Sequence, residues 1–318
     1  MKRTAALLVR LELSRAGLFG GRNAPADSLE VVRAMLWPVI DYGRGVASSQ
    51  GPKCKGVAKS LDTFQLETLR EILGVSKRCR VAGVRGELGE IPDLWRERKR
   101  QLLTARQMLR SPRGSLMEQI ARQANRASPK LGIFRIVHKF LAETNGPPLE
   151  EFRNKSDIKR WILTTASREW KAKVDQSPCL ARTYIHSNSL GCKGYLRRAF
   201  PGRCILTRLR LDDLELGAAS YRGKINPLPM CAMCGDEAET REHFVLRCRP
   251  LSGVREANIQ TMKLAPSSPD PDSALDVLTL ATPRGAEDDI SRAIKVGKLL
   301  HELWTLRAKL LGIRATLD

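Results

Sequence analysis

The segment Cys231-Ala-Met-Cys234-Gly-Asp-Glu-Ala-Glu-Thr-Arg-Glu-His243-Phe-Val-Leu-Arg-Cys248 contains three cysteines and one histidine with the spacing C-x2-C-x8-H-x4-C. This spacing predicts a closed tetrahedral Zn²⁺ site, because two sulfurs come from one tight turn and two further ligands follow it. A Cys3His set leaves no position for a water molecule, so the pattern indicates a structural zinc ion and no catalytic one. The alternative, three buried apolar cysteines and a surface histidine, fits the metal-like spacing less well.

The residues between the ligands favour the same site. Gly235 follows the first cysteine pair, where a turn that aims its amides at the thiolates needs a positive φ angle. Thr240 is placed to cap a short helix that carries His243. On an α-helix, His243 and Cys248 would lie about 140° apart, so this helix is expected to end or loosen before Cys248, and Pro250 fits such a stop.

The charge of the chain predicts a polyanionic partner. Its 318 residues include 55 Lys+Arg and 34 Asp+Glu, a formal net charge of +21. RNA or DNA, bound through phosphates without sequence preference, is the first candidate, and the zinc pattern favours it over an acidic protein. No apolar run has the length of a membrane-spanning helix, so a membrane partner is not expected.

The remaining cysteines indicate a reducing compartment. They show no paired pattern, and no secretory leader precedes them, so the protein is expected to be intracellular, nuclear or cytoplasmic, and not secreted. The basic, amphipathic residues 1–15 have some features of an organelle transit peptide, but Glu12 and the helical pattern favour an ordinary helix. The five cysteines outside the zinc segment are Cys54, Cys79, Cys179, Cys192 and Cys204.

Apolar periodicity predicts a mainly α fold without a strand ladder. A helix is expected from Asp93, another over Asp289 to Leu311, and an irregular basic stretch over residues 77–92. Three prolines within 265–272 mark a linker. The predicted units are a helical region over 1–114, a basic helical connector over 115–222, a zinc-knuckle module over 223–264, the linker 265–272 and a C-terminal helical segment over 273–318.

Basic residues near these helices are candidates for phosphate contacts, although a solvated helix face is an equally good explanation for those that follow Asp93. Trp161 and Trp170 are expected to anchor a core, since packing is the commoner use of tryptophan than stacking on bases. The candidate nucleic-acid contacts are Lys77, Arg78, Arg80, Arg96, Arg98, Lys99, Arg100, Arg208 and Arg210.

Several phrases, in this order, resemble one family. They are Leu36-Trp-Pro-Val-Ile-Asp-Tyr-Gly43, Leu69-Arg-Glu-Ile-Leu-Gly-Val75, Val84-Arg-Gly-Glu-Leu-Gly-Glu-Ile-Pro92, Leu206-Thr-Arg-Leu-Arg210 and the zinc segment. Together they resemble the C-terminal region of reverse transcriptases from non-LTR (LINE-type) retrotransposons. The resemblance implies a thumb over residues 1–114, a connector, a Cys2HisCys zinc motif and a region that grips RNA template and target DNA.

The polymerase palm of that family has no counterpart in the sequence. Its aromatic-Ala-Asp-Asp hairpin, which holds two Mg²⁺ ions, is missing, and Asp212-Asp213 and Asp288-Asp289 are better explained as structural. We therefore expect a nucleic-acid-binding fragment without catalytic residues, silent as a polymerase unless an upstream polymerase region of the intact element supplies the palm. The alternative function is a stand-alone zinc-dependent module that binds another protein.

Overall fold

The computed structural model describes residues 2–19, 23–42, 54–126, 132–217, 229–262, 276, 278–279 and 286–313. Within these ranges the chain is mainly helical and has no strand beyond two isolated antiparallel bridges, Leu88 with Cys192 and Met230 with Ala238. The predicted fold class is therefore confirmed. The predicted linker 265–272 lies outside the described residues.

The α-helices are named in chain order. The first six are α1 (Lys2–Arg15), α2 (Pro25–Asp41), α3 (Cys54–Leu73), α4 (Val81–Leu88), α5 (Asp93–Leu109) and α6 (Leu116–Arg126). They are followed by α7 (Gly132–Glu143), α8 (Lys155–Asp175), α9 (Pro178–Thr183), α10 (Arg203–Arg210), α11 (Ser252–Met262) and α12 (Ala286–Leu310).

Helix α4 corrects one prediction. Residues 77–92 were expected to be irregular, but Val81–Leu88 are helical and end at Gly89, whose φ is 69°. Two glycines inside this helix disfavour it in isolation. They are needed for packing, since a Cβ at Gly83 would lie 2.6 Å from Leu211 and one at Gly86 would lie 2.7 Å from Trp170.

The larger of two hydrophobic cores gathers residues from both ends of the chain. It includes Leu36 of α2, Leu69 of α3 and Leu206 of α10, together with Phe244 of the zinc segment and Leu300 of α12. Helix α12 packs on α10 and α11. The zinc segment and the C-terminal helix therefore belong to the same packed core as the N-terminal helices.

The smaller core lies between α5, α6, α7 and the first half of α8. Its aromatic centre is Phe140, which contacts Trp95 and Trp161 edge to face. Helix α8 joins the two cores, because Ile162 packs in the smaller core and Trp170 in the larger one. Both tryptophans predicted as core anchors, Trp161 and Trp170, pack in this way.

Candidate metal centre and basic clefts

The four predicted metal ligands converge on one point. One ligand atom from each of Cys231, Cys234, His243 and Cys248 lies within 4.8 Å of all the others. The Sγ atoms of Cys231 and Cys248 are 3.8 Å apart, and Sγ of Cys234 is 3.4 Å from Nε2 of His243. A tetrahedral ion with bonds of about 2.3 Å to sulfur and about 2.1 Å to nitrogen requires edges of about 3.8 and 3.6 Å. The cluster therefore has the size of a closed metal site.

The turn between the first two cysteines is built as the sequence predicts. Gly235 has a φ of 72° and donates its amide to the carbonyl of Cys231 at 2.8 Å. The amides of Met233 and Cys234 hydrogen-bond to the sulfur of Cys231. These dipoles favour a thiolate at Cys231, as a metal ligand requires.

A π turn brings His243 and Cys248 together. Thr240 accepts a hydrogen bond from the amide of His243 at 3.1 Å, which confirms its predicted role as a cap. The helix loosens over His243–Arg247, where the amide of Cys248 donates to the carbonyl of His243 at 2.8 Å. Such an i to i+5 bond widens the turn, so residues five positions apart can face the same ion. The helix ends before Cys248 as predicted, and Pro250 lies in the separate 3-10 turn Arg249–Leu251 that leads into α11.

The imidazole of His243 is oriented by a carboxylate. Its Nδ1 lies 3.3 Å from Oε2 of Glu237, while its Nε2 faces the sulfur cluster. A histidine that binds a metal through one nitrogen commonly donates its other N–H to such a group, which fixes the ring and its tautomer. Glu237 therefore supports the ligand set without belonging to it.

Burial of the sulfurs disfavours their thiolate forms. Burial, together with the adjacent sulfurs of Cys231 and Cys234, raises the pKa of the Cys248 thiol to about 12. Burial also raises the pKa of Cys231. Such thiols stay protonated at neutral pH unless a bound cation stabilises their thiolates.

The metal segment is tied to the C-terminal helix by a buried ion pair. Glu239 is 1% exposed and accepts two hydrogen bonds from Arg307 of α12, at 2.7 and 2.9 Å. It also accepts the amide of Gly217 at 2.6 Å. Five residues after Glu239, Phe244 contacts Trp304 edge to face at a centroid distance of 6.0 Å. The position of α12 thus depends on the segment that carries the ligands.

A cleft of about 620 Å³ lies beside the metal segment. We call it the arginine cleft, because Arg80, Arg182, Arg208 and Arg241 line it. Its far wall includes Pro229 and residues 239–242 of the metal segment. Two predicted nucleic-acid contacts, Arg80 and Arg208, therefore line the same cleft as residues 239–242 of the metal segment.

The turn before α4 is held against the arginine cleft. The backbone amide of Ser76 donates to Asp213 at 2.7 Å, and Arg208 donates to the carbonyl of Gly74 at 2.8 Å. Lys77 and Arg78 are exposed on this turn. Asp213 is thereby a structural residue, as predicted.

The predicted contacts on α5 lie elsewhere and mostly have partners within the protein. Arg96 pairs with Asp41 at 2.8 Å, and Arg100 pairs with Asp41 at 3.0 Å. Arg98 donates to Gln101 at 2.9 Å and lies over the ring of Phe140. Of the four, only Lys99 has no hydrogen bond or ion pair with the described residues.

Arg210 is an interior residue. It is 3% exposed and pairs at 2.8 Å with Glu87, which is fully buried. The hydroxyls of Tyr184 and Tyr195 donate to the same carboxylate at 2.7 and 2.8 Å. A guanidinium enclosed in this way cannot reach a phosphate, so we correct its predicted role to a structural one.

Sequence analysis missed Arg182 and Arg241 in the arginine cleft. Arg241 lies between two metal ligands in the sequence, which was a usable signal, whereas nothing near Arg182 distinguishes it from other basic residues.

No family model matches the chain, and neither a curated protein nor a solved structure resembles it significantly. No helix in the described ranges is long and apolar enough to span a lipid bilayer.

Proposed function

We propose that the protein binds single-stranded nucleic acid through its phosphates, with a zinc ion holding together the segment beside the binding cleft. The observation that carries this proposal is the position of the arginine cleft, one wall of which belongs to the metal segment. A net charge of +21 supports a polyanionic ligand. The identity of the ion follows from donor chemistry, since three thiolates and one imidazole in a closed tetrahedron suit Zn²⁺ best.

Arginine suits this role because its planar guanidinium binds phosphate oxygens with two parallel hydrogen bonds. Within the described part of the chain, the side chain of Arg208 makes one hydrogen bond, from Nε to the carbonyl of Gly74 at 2.8 Å. Its two terminal nitrogens remain available to a ligand. Arg80 uses one terminal nitrogen in a bond to Ser177, and its side chain is exposed.

The resemblance to the C-terminal region of LINE-type reverse transcriptases supports the same function. In that family the region binds RNA and DNA while the palm performs the chemistry. We propose that this chain alone binds without polymerising. Incubation with a primed RNA template, Mg²⁺ and nucleotides should give no extension product, and synthesis of DNA would refute the proposal of catalytic silence.

The binding experiment measures the affinity of the full, zinc-loaded chain for a labelled single-stranded oligonucleotide as salt is raised. Phosphate contacts predict a log-linear loss of affinity. The double variant Arg80→Ala, Arg208→Ala should lower the salt slope by about 1.4, since each phosphate contact on a single strand contributes about 0.7. Arg110→Ala, Arg168→Ala is the control, because both residues are exposed and line neither cleft.

The alternative function, a zinc-dependent protein-interaction module, predicts a different result. Such a module should not bind the oligonucleotide even at about 50 mM salt. Equal slopes for the wild type and the Arg80, Arg208 variant would place binding outside the arginine cleft.

Metal analysis of the purified protein tests the zinc site separately. Equal zinc content in the wild type and in the double variant Cys231→Ser, Cys234→Ser would remove the metal assignment.

A further inference from the structure

A second cleft, of about 390 Å³, lies between α2, α5 and α8. We call it the lysine cleft, because Lys99 of α5 and Lys159 of α8 line it. It is separate from the metal segment, which contributes no lining residue. Arg33, Arg96 and Glu90 complete its polar lining.

The acidic groups near the lysine cleft are already neutralised by arginines. Glu90 is buried and pairs with Arg33 at 2.6 Å. Asp41, behind Arg96, pairs with that residue at 2.8 Å and with Arg100 at 3.0 Å. Both carboxylates are thus shared with arginines, and neither forms an ion pair with Lys99 or Lys159.

Lys99 differs from the ion-paired side chains of the cleft. Its side chain is half-buried, and it makes no hydrogen bond or ion pair with the described residues. Burial lowers the pKa of its ammonium group, and the nearby charges of Arg96 and Lys159 lower it further, while Glu90 and Asp41 act in the opposite direction. An ammonium group in such a position is costly without an anion beside it.

Arg96 lies in the wall of the lysine cleft with most of its side chain buried. Its guanidinium lies over the ring of Trp37 at 4.8 Å and donates through Nη2 to Asp41. Its Nη1 atom is buried and has no hydrogen-bond partner within the described part of the chain. Buried donors are nearly always satisfied in native proteins, so this one is an irregularity of the cleft wall, but an atom without accessible surface does not itself contact a ligand in the cleft.

We infer that the lysine cleft binds a phosphate group through the ammonium groups of Lys99 and Lys159. A phosphate offers several acceptor oxygens and enough negative charge to compensate both lysines. Leu163, which is 42% exposed at the edge of the cleft, gives an apolar surface for a sugar or base attached to that phosphate. The phosphate can belong to a nucleic-acid strand or to a free phosphate compound.

The first test uses inorganic pyrophosphate, so it does not depend on the proposed function. The full, zinc-loaded chain is acetylated at lysines with and without pyrophosphate at constant ionic strength, and each site is quantified by mass spectrometry. Saturating pyrophosphate should slow modification of Lys99 and Lys159 about tenfold, in proportion to the unoccupied fraction, while Lys173 should be unaffected. Lys173 is an exposed lysine on the same helix as Lys159 and lies outside the cleft.

The second test uses the labelled oligonucleotide and the variants Lys99→Met and Lys159→Ala. Each should weaken binding about tenfold, the worth of one charge-assisted hydrogen bond, and lower the salt slope by about 0.7. Lys173→Ala should change neither value. Lys99→Met removes a half-buried charge and keeps the side-chain length, so the variant is expected to fold, and its zinc content and thermal midpoint verify this.

The outcomes separate the sources of the phosphate and the two proposals. Protection by pyrophosphate without an effect of the variants on the oligonucleotide assigns the cleft to a free phosphate compound. Loss of oligonucleotide binding without pyrophosphate protection assigns it to a strand. If neither occurs in folded protein, the inference is overturned, whether or not the arginine cleft binds nucleic acid.

Discussion

The two hydrophobic cores are held together by different interactions, although α8 passes through both. The smaller core is apolar and aromatic, with edge-to-face contacts of 5.4 Å between Trp95 and Phe140 and 5.7 Å between Phe140 and Trp161. The larger core also encloses the sulfur cluster and two buried ion pairs, Glu87 with Arg210 and Glu239 with Arg307.

This difference shows which perturbations each core can tolerate. A buried charge is stable only while its partner is present, and a ligand cluster only while its ion is bound. Apolar packing instead depends on filled volume, so its loss is graded with the atoms removed. We therefore expect the larger core to lose stability when a buried charge or the metal is removed. The smaller core should lose stability when its aromatic volume is reduced.

Metal removal should have the largest effect. A chelator, or the double variant Cys231→Ser, Cys234→Ser, should unfold the segment around residues 229–250, because structural zinc binding commonly contributes about 10 kcal/mol or more to folding. Hydrogen exchange should also increase in α12, which is attached through Arg307 to Glu239. Amides of α5 and α7 should keep their protection, and equal loss in these helices would show that the two cores are not independent.

Breaking the central ion pair should have the next largest effect. Arg210→Met leaves the carboxylate of Glu87 buried without its cation, and it should lower the free energy of unfolding by about 3–5 kcal/mol in chemical denaturation. The double variant Glu87→Gln, Arg210→Met should lose less than the single variant, since no uncompensated charge remains. An equal loss in both would mean that packing by the Arg210 side chain, and not its charge, stabilises the core.

Truncating the aromatic centre of the smaller core should have the third largest effect on stability. Phe140→Ala removes the ring between Trp95 and Trp161, and we expect a loss of about 3 kcal/mol from burial and cavity formation. Zinc content and exchange in α12 should stay at wild-type values. Leu163→Ala is the control, because Leu163 is 42% exposed on α8 and its truncation should cost less than about 0.5 kcal/mol.

The features that were predictable from the sequence are local ones. The four candidate ligands fall within one short segment. The positions of Gly235 and Thr240 in that segment predict its turn and its helix cap. The apolar stripe of α12 is equally local and predicted a helix over Asp289 to Leu311, close to the observed Ala286–Leu310. Periodicity and metal-ligand spacing reveal such features because every residue involved is a near neighbour in sequence.

The features that were missed depend on residues far apart in the chain. Arg210 resembles a surface arginine until Glu87, 123 positions away, is placed beside it. Helix α4 was not predicted because its glycines have low helix propensity. These glycines are needed because a side chain there would collide with Leu211 or Trp170. Tertiary packing overrides helix propensity at such sites, so the sequence alone could not separate the basic residues that face solvent from those that complete the core.

The smallest effect is expected at the exposed start of α8, next to the smaller core. The side chain of Asn154 accepts the amide of Asp157 at 3.0 Å, and Asp157 in turn accepts the amide of Asn154 at 3.0 Å. Asn154→Ala removes half of this capping box and should cost about 1 kcal/mol, measured by chemical denaturation, whereas Ser156→Ala on the exposed side should cost almost nothing. Hydrogen exchange should rise in the first turns of α8 and not around Trp170, because the cap acts on the end of the helix alone. A matching rise around Trp170 would instead mean that α8 transmits the disturbance from one core to the other, and the cores would then have to be treated as one cooperative unit.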